Sequence, residues 1–370
     1  MAETTAADDT HGLIQDRVID GQGHGLLSCL RLPFELYRPI VELVADRPTL
    51  ISLCSTNQVF KYEAQRILYH TIDALPPYSF VTFLRTMIED EQLALLVRTF
   101  RINTDMRSPS LNYLLNVALR AMINLRELFV NCTIKTLPEP EVPRLSIFSG
   151  CKFQLDTLSI VQYLDVGAFF SFLATQRKLQ KLAAYLVDQG QPLPSGVCPK
   201  LASLQGNRAT IETLLPNRQI TTVIWDPDSY DARRSMLHLS EPLRSLKTLS
   251  FDGCYLRPSL RTIVDHLQSL EYLELVALHA GEIQDICKLS SLRALVLTDA
   301  FSFGTWERRV SMVAPIFASC HQLEYVDMEQ FLCSDSQKPY ERWGCSSGSQ
   351  TPVMLGYLQR DFVRHPFCII

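Results

Sequence analysis

The sequence predicts an α/β solenoid, a stack of strand–helix units that share one core. Three observations predict it. An apolar hexamer pattern recurs along the chain, successive copies from Val97 onward start 19 to 31 residues apart, and amphipathic helices fall between the copies. A short strand and a helix cannot each bury an apolar face alone, so the units must stack on one another.

The hexamer consists of an apolar residue, two others, an apolar residue, one other and a final apolar residue. This pattern, at a period of roughly 20–29 residues, is typical of leucine-rich repeats. We therefore predict a horseshoe of leucine-rich repeats over residues 76–332. The clear copies are Leu125–Val130, Leu155–Ile160, Ile220–Trp225, Leu246–Phe251, Leu270–Leu275, Leu292–Leu297 and Leu323–Met328, and weaker copies start at Tyr69, Val97, Leu179 and Leu201.

Helices are predicted where apolar residues recur at i, i+3, i+4 and i+7, since that spacing gives one buried stripe. Four segments fit this template: 80–87, 166–173, 260–267 and 310–317. The alternative is a doubly wound α/β sheet with a ligand site at a switch point. Such folds do not repeat one hexamer along the chain, which favours the solenoid.

Composition limits the function. The chain has 370 residues, 47% of them hydrophobic, with a net charge of −4 and a pI of about 6.1. That balance argues against a nucleic-acid partner, because such proteins usually carry a basic patch. No apolar run is long enough for a transmembrane helix, and the polar start is unlike a signal peptide. Eleven cysteines without Cys-x-x-Cys pairs favour a reduced intracellular compartment, the cytoplasm or the nucleus.

The N-terminal part of the chain differs from the repeats. Residues 1–28 are predicted to be a disordered polar tail, and residues 29–75 a module of three short helices. This module resembles the F-box, which begins Leu-Pro-x-Glu-Leu and continues with three apolar helices. The matching residues are Leu32, Pro33, Phe34, Glu35, Leu36, Ile40, Leu50, Leu53, Cys54, Phe60, Ala64, Leu68 and Tyr69.

The resemblance implies that the module binds the Skp-type adaptor of cullin-based ubiquitin ligases while the repeats hold a protein substrate. Pro39 departs from the pattern, because proline inside a helix removes a backbone donor; we expect a restart or a kink there. Two alternatives stay open. In one, the N-terminal module only caps the solenoid; in the other, the whole protein is a repeat scaffold without a ubiquitin-ligase role. The predicted adaptor contacts are Leu32, Pro33, Leu36, Ile40, Leu50, Leu53 and Phe60.

No catalytic, cofactor or metal site is predicted. Gly344–Gly348 formally matches a nucleophile elbow around Ser346, which would make a serine hydrolase, but that turn must join a strand to a helix. Residues 334–352 are polar, and we predict a polar loop and a C-terminal cap over residues 333–370. The histidines do not pair at helical spacing, and no phosphate-binding glycine loop occurs. A non-catalytic protein is therefore expected.

The late repeats suggest the charge of the partner. Residues between the apolar positions of a strand face the concave side, and in the last five repeats several are acidic and none is basic. One interpretation is an ordinary solvated surface on which acidic residues outnumber basic ones by chance. The sharper hypothesis is a groove for a basic segment of the partner, formed by Asp252, Tyr272, Glu274, Tyr325, Asp327 and Glu329.

Overall fold

The structure is a computed structural model, and its atoms divide into two compact units, Met1–Glu63 and Ala64–Ile370. The boundary lies inside the predicted 29–75 module. No helix of the described residues is long and apolar enough to cross a membrane. The residues that the structure describes are 32–103, 108–131, 146–164, 166–186, 193–194, 196–227, 237–252, 258–276, 278–279, 281–298, 306–329, 340–345 and 352–358; the predicted tail lies outside them.

Three helices form the described part of the first unit: α1 (Phe34–Glu42), α2 (Arg47–Leu53) and the start of α3 (Gln58–His70). The Asp46 carboxylate caps α2 by accepting from the Thr49 N–H at 2.8 Å. Pro39 lies inside α1, which continues through it to Glu42. The expected restart is therefore wrong, because α1 is continuous. Pro39 has no N–H to donate to the Glu35 carbonyl, so the helix lacks that one hydrogen bond.

The second unit is organised by one sheet of thirteen strands, counted within the described residues, in strict chain order. Strands β1 to β11 are parallel, whereas β12 and β13 are antiparallel to their neighbours. The strands are β1 Thr71–Ile72, β2 Thr99–Asn103, β3 Glu127–Asn131, β4 Thr157–Leu164, β5 Lys181–Leu186, β6 Ser203–Gly206, β7 Thr222–Trp225, β8 Thr248–Phe251, β9 Tyr272–Val276, β10 Ala294–Thr298, β11 Tyr325–Glu329, β12 Tyr340–Cys345 and β13 Pro352–Leu358.

The hexamer pattern produces a ladder of fully buried apolar side chains through this unit. From β2 to β11 its central position stacks in register from strand to strand and has no solvent exposure, and in the weak first copy the equivalent residue, Ile72, is 4% exposed. Because every repeat supplies the same rung, one continuous core runs along the sheet. The fold is a leucine-rich-repeat-type solenoid, as predicted. The rungs are Phe100, Leu128, Leu158, Leu182, Leu204, Val223, Leu249, Leu273, Leu295 and Val326.

Helices cover the core side of the sheet, and three of the four predicted ones are present: α4, α7 and α11. The fourth, over residues 260–267, is instead two short 3₁₀ turns, Leu260–Thr262 and Val264–His266. Ile263, with φ −127°, interrupts the helical backbone. The apolar stripe stays buried because 3₁₀ turns also align i with i+3; its residues are Leu260, Ile263, Val264 and Leu267. The helices are α4 Pro77–Glu89, α5 Glu91–Ala94, α6 Pro109–Ala121, α7 Val166–Thr175, α8 Arg208–Leu214, α9 Ser240–Leu243, α10 Glu282–Ile286 and α11 Trp306–Ser319.

The C-terminal region differs from the predicted polar loop. Residues 340–345 form β12, with Trp343 and Glu341 facing the core and fully buried. Arg309 of α11 lies 3.1 Å from the Glu341 carboxylate and compensates its charge. The six residues of β12 show no polar–apolar alternation, so their pattern does not distinguish this strand from a loop. Ser346 lies outside the described residues.

Candidate functional site

The first unit exposes an unusual amount of apolar side chain. Five large residues of α1 and α2, or flanking them, are between 40% and 85% exposed, although hydrophobic residues of this size are normally buried. Exposed apolar surface of this kind marks interaction sites in soluble proteins. We name it the α1–α2 apolar surface. Its members are Phe34, Leu36, Ile40, Leu43 and Ile51.

The predicted adaptor residues fall into three groups. Pro33, Leu36 and Ile40 are exposed, and Leu32, Leu53 and Phe60 are half-buried. Leu50 is only 5% exposed, so it supports the fold of the chain and cannot supply a direct contact as predicted. Whether such a residue is buried depends on contacts with residues distant in sequence, and helical spacing does not predict those contacts. Phe34, Leu43 and Ile51 are exposed as well but were not among the predicted adaptor contacts, although Leu43 continues the helical spacing of Leu36 and Ile40.

The concave face is the side of the sheet that faces away from the core, and two rows of side chains cross it. The first row contains the residue that begins each strand, and the second row the residue two positions later. Adjacent members of a row are about 4.8 Å apart, so each touches its neighbours. From β4 to β9 the first row reads Thr157, Lys181, Ser203, Thr222, Thr248 and Tyr272, and the second reads Ser159, Ala183, Gln205, Ile224, Ser250 and Glu274.

The structure brings most of the predicted acidic groove together. Glu274 and Asp327 lie in the second row with Val296 between them, and Tyr272 and Tyr325 share the first row. Ser250 donates to the Glu274 carboxylate at 2.8 Å. Asp252 and Glu329 lie at strand ends, one directly after β8 and the other as the last residue of β11.

One residue that the sequence analysis missed changes the electrostatics of this groove. Arg342 of β12 donates from Nε and Nη2 to the two Asp327 carboxylate oxygens at 2.7 and 2.8 Å. Its guanidinium also lies 4.0 Å from the centre of the Tyr325 ring. Asp327 and Tyr325 are therefore engaged by the chain itself. Four of the six predicted groove residues are also less than 10% exposed: Tyr272, Glu274, Asp327 and Glu329. Only Asp252 and Tyr325 are half-buried, so little of the predicted groove is open to a partner, and the binding of a basic segment stays a prediction.

The described residues show no group of three His, Cys, Asp or Glu side chains that could hold a metal ion. The buried thiols are also poor nucleophiles. Burial raises the pKa of Cys198 and Cys320 to about 11 and that of Cys151 to about 12, partly opposed at Cys198 by Arg218 and at Cys151 by Arg120. The prediction that the protein is not an enzyme remains a prediction.

Comparison with known proteins adds little to this description. No protein-family model and no curated protein matches the chain. Among solved structures, 44 chains match. One is an internalin of Listeria monocytogenes, which is 15% identical over 70% of each chain with a TM-score of 0.39. The fold assignment rests on the strand register and the repeated core.

Proposed function

We propose that this protein is a non-catalytic interaction protein whose repeats bind a protein partner. The support is the continuous parallel sheet, which presents rows of side chains from many repeats on one face. Such extended surfaces are what repeat solenoids use for binding. This role requires no catalytic residue. The side chains of the two rows on the concave face would determine which partner binds.

We further propose that the first unit is an F-box-like module that binds a Skp-type adaptor. The protein would then be the substrate-recognition subunit of a cullin-type ubiquitin ligase. The observation that carries this proposal is the α1–α2 apolar surface, because two predicted adaptor residues, Leu36 and Ile40, are among its exposed members. An exposed apolar stripe on a short helix is stabilised when a partner covers it.

A repeat scaffold without a ubiquitin-ligase role is the second candidate. The solenoid favours it directly, since a binding surface needs no adaptor. The two candidates differ only in what covers the first unit, so the α1–α2 apolar surface is the place to separate them.

The test is co-purification of the full chain with a Skp-type adaptor and cullin. Replacing Leu36 and Ile40 together with Asp should abolish adaptor retention, since each buried apolar side chain contributes about 1.5–3 kcal/mol to an interface. The matched control replaces Ile88 and Ile123 with Asp. These residues, 38% and 47% exposed, match Leu36 and Ile40 at 45% and 40%, but lie in the repeat unit.

The control pair should retain the adaptor and the cullin as the wild type does. Normal retention by a folded Leu36→Asp, Ile40→Asp variant would refute the adaptor role and leave the scaffold. Failure of the wild type to retain any adaptor would have the same meaning.

A further inference from the structure

Three cationic side chains occupy described strand positions on the concave face, and they differ in what they contact. Arg101 lies 3.3 Å from the Asp73 carboxylate and 5.0 Å from the centre of the Phe129 ring. Arg342 is paired with Asp327. Lys181, at the start of β5, is half-buried and forms no ion pair with any described residue. Within the described part of the chain, its charge is not neutralised.

The neighbours of Lys181 in the first row are hydroxyl-bearing, with Thr157 on one side and Ser203 on the other. Ser203 is 5% exposed, and its Oγ has no hydrogen-bond partner in the described part of the chain. A buried polar atom without a partner costs about 1–3 kcal/mol. A ligand oxygen that reached this hydroxyl beside Lys181 would remove that cost.

Next to this polar pair runs an apolar strip. Phe129, Ala183 and Ile224 form a cluster of their own on the concave face, separate from the main core. Ala183 follows Lys181 by two positions on β5, and Ile224 follows Thr222 by two on β7. The three side chains of the strip are only 5%, 1% and 8% exposed, and Arg101 lies over the Phe129 ring, so the half-buried Lys181 is the part of this surface that a partner can reach.

The far end of the strip carries the opposite charge. The Asp226 carboxylate accepts from the Tyr185 hydroxyl and, at 3.1 Å, from Gln205 Nε2. An anionic ligand group is disfavoured there and favoured at Lys181. The Gln205 Oε1 atom is buried without a partner among the described residues, which leaves an acceptor for an incoming N–H.

We propose that the concave face over β3–β7 binds an extended segment of the protein partner that carries a carboxylate or phosphate side chain at Lys181. An oxygen of that group would accept from the Ser203 hydroxyl beside Lys181. In an extended chain, residues i and i+2 share a face about 6.6 Å apart, the same spacing as the two rows. This inference rests on the proposed partner-binding role of the repeats and is independent of adaptor binding.

The experiment uses an array of eleven-residue peptides with otherwise random sequence. The central position is Glu, phosphoserine, Gln or Lys, and the positions two residues before and after it are Leu or Asn. The full chain is compared with Lys181→Met, with the charge-conserving Lys181→Arg, and with Lys178→Met. Lys178 is exposed in the turn before β5, so its substitution removes the same charge away from the concave face.

The wild type should retain Glu or phosphoserine peptides at least tenfold better than Gln peptides, with Leu and with Asn at the flanking positions alike. Lys181→Met should lose the preference, while Lys181→Arg and Lys178→Met keep it. Retention of Glu peptides identifies a carboxylate, and retention of phosphoserine alone identifies a phosphate. Equal retention of all four classes by the wild type, or an unchanged preference in Lys181→Met, overturns the inference. Loss of adaptor binding in the co-purification leaves this preference intact, so the two failures are distinguishable.

Discussion

The two units use amphipathic helices in opposite ways. In α4 of the repeat unit, all four residues of the apolar stripe, Phe80, Phe83, Leu84 and Met87, are buried. In α1 the stripe of Leu36, Ile40 and Leu43 faces solvent, and Val41 is the buried residue. Similar apolar stripes are therefore buried in one unit and exposed in the other. A sheet covers α4, whereas a unit of three short helices has too little core to cover α1.

This difference separates stability from function. A stripe that is buried in the repeats contributes to the free energy of unfolding, whereas an exposed stripe contributes only when a partner covers it. Substitutions in the repeat unit should therefore change stability first, and substitutions on the α1–α2 apolar surface should change binding first.

The largest effect is expected at the end of the repeat unit. Replacing Arg309 with Met leaves the fully buried Glu341 carboxylate without its ion-pair partner at 3.1 Å. Removing one partner of a buried pair typically costs about 3–5 kcal/mol, because a charge stays in a low-dielectric site. Urea unfolding of the full chain at neutral pH measures the change.

The control for this prediction is the double variant Arg309→Met with Glu341→Gln, which removes both charges. It should recover much of the lost stability. If Arg309→Met alone shifts the unfolding free energy by less than about 0.5 kcal/mol, as a surface substitution would, β12 does not seal the core.

The repeated hexamer made the strands predictable, because each copy imposes the same requirement and the register follows from repetition. Leu249, for example, is buried for the same reason as its counterpart in every other repeat. What failed depends on contacts between distant residues. The bidentate pair of Arg342 with Asp327 requires the chain to return antiparallel beside β11, and no local pattern encodes that return.

The same limit applies to the candidate sites. The stripe of α1 was visible in the sequence, but helical spacing alone does not say which face is covered. The predicted adaptor contacts therefore included Leu50, which is buried, and omitted Phe34 and Ile51, which are exposed. The place of Lys181 on the concave face follows from its position in the repeat, whereas its lack of an ion pair with the described residues requires side-chain positions.

A smaller effect should appear within α1 itself. Val41→Ala removes two methyl groups from a site with no solvent exposure and should cost about 1.5 kcal/mol, at roughly 0.8 kcal/mol for each buried carbon group. Leu36→Ala removes more carbon from a site that is 45% exposed and should change stability by less than about 0.5 kcal/mol. Adaptor binding should show the reverse order. Equal losses of stability in the two variants would mean that Leu36 is covered within the chain.

The smallest effect concerns the cysteine thiols, whose rates of alkylation should follow how deeply each thiol is buried in its unit. Burial raises the pKa of Cys198 and Cys320 in the repeats to about 11, from an ordinary value of 9.0. Because the thiolate is the nucleophile, alkylation by iodoacetamide at pH 8 should be about a hundredfold slower at these two than at an unperturbed thiol. Cys345 is exposed and should react first. Cys54 of the helical unit, whose pKa is raised mainly by partial burial and lowered in part by Lys61, should fall between them.

The raised pKa values also fix the sign of a pH dependence. A buried thiol stays protonated in the folded state while its unfolded counterpart ionises, so its contribution to stability is complete below pH 9 and is lost as the pH rises towards about 11. Unfolding in urea should therefore require less denaturant at pH 10 than at pH 8, and Cys198→Ala with Cys320→Ala should weaken that dependence.

Mass-spectrometric mapping of the alkylated peptides gives the reaction order. Labelling of Cys198 in the folded protein as fast as Cys345 would show that the core opens at this repeat, and the contrast between a closed solenoid and an exposed helical unit would fail there.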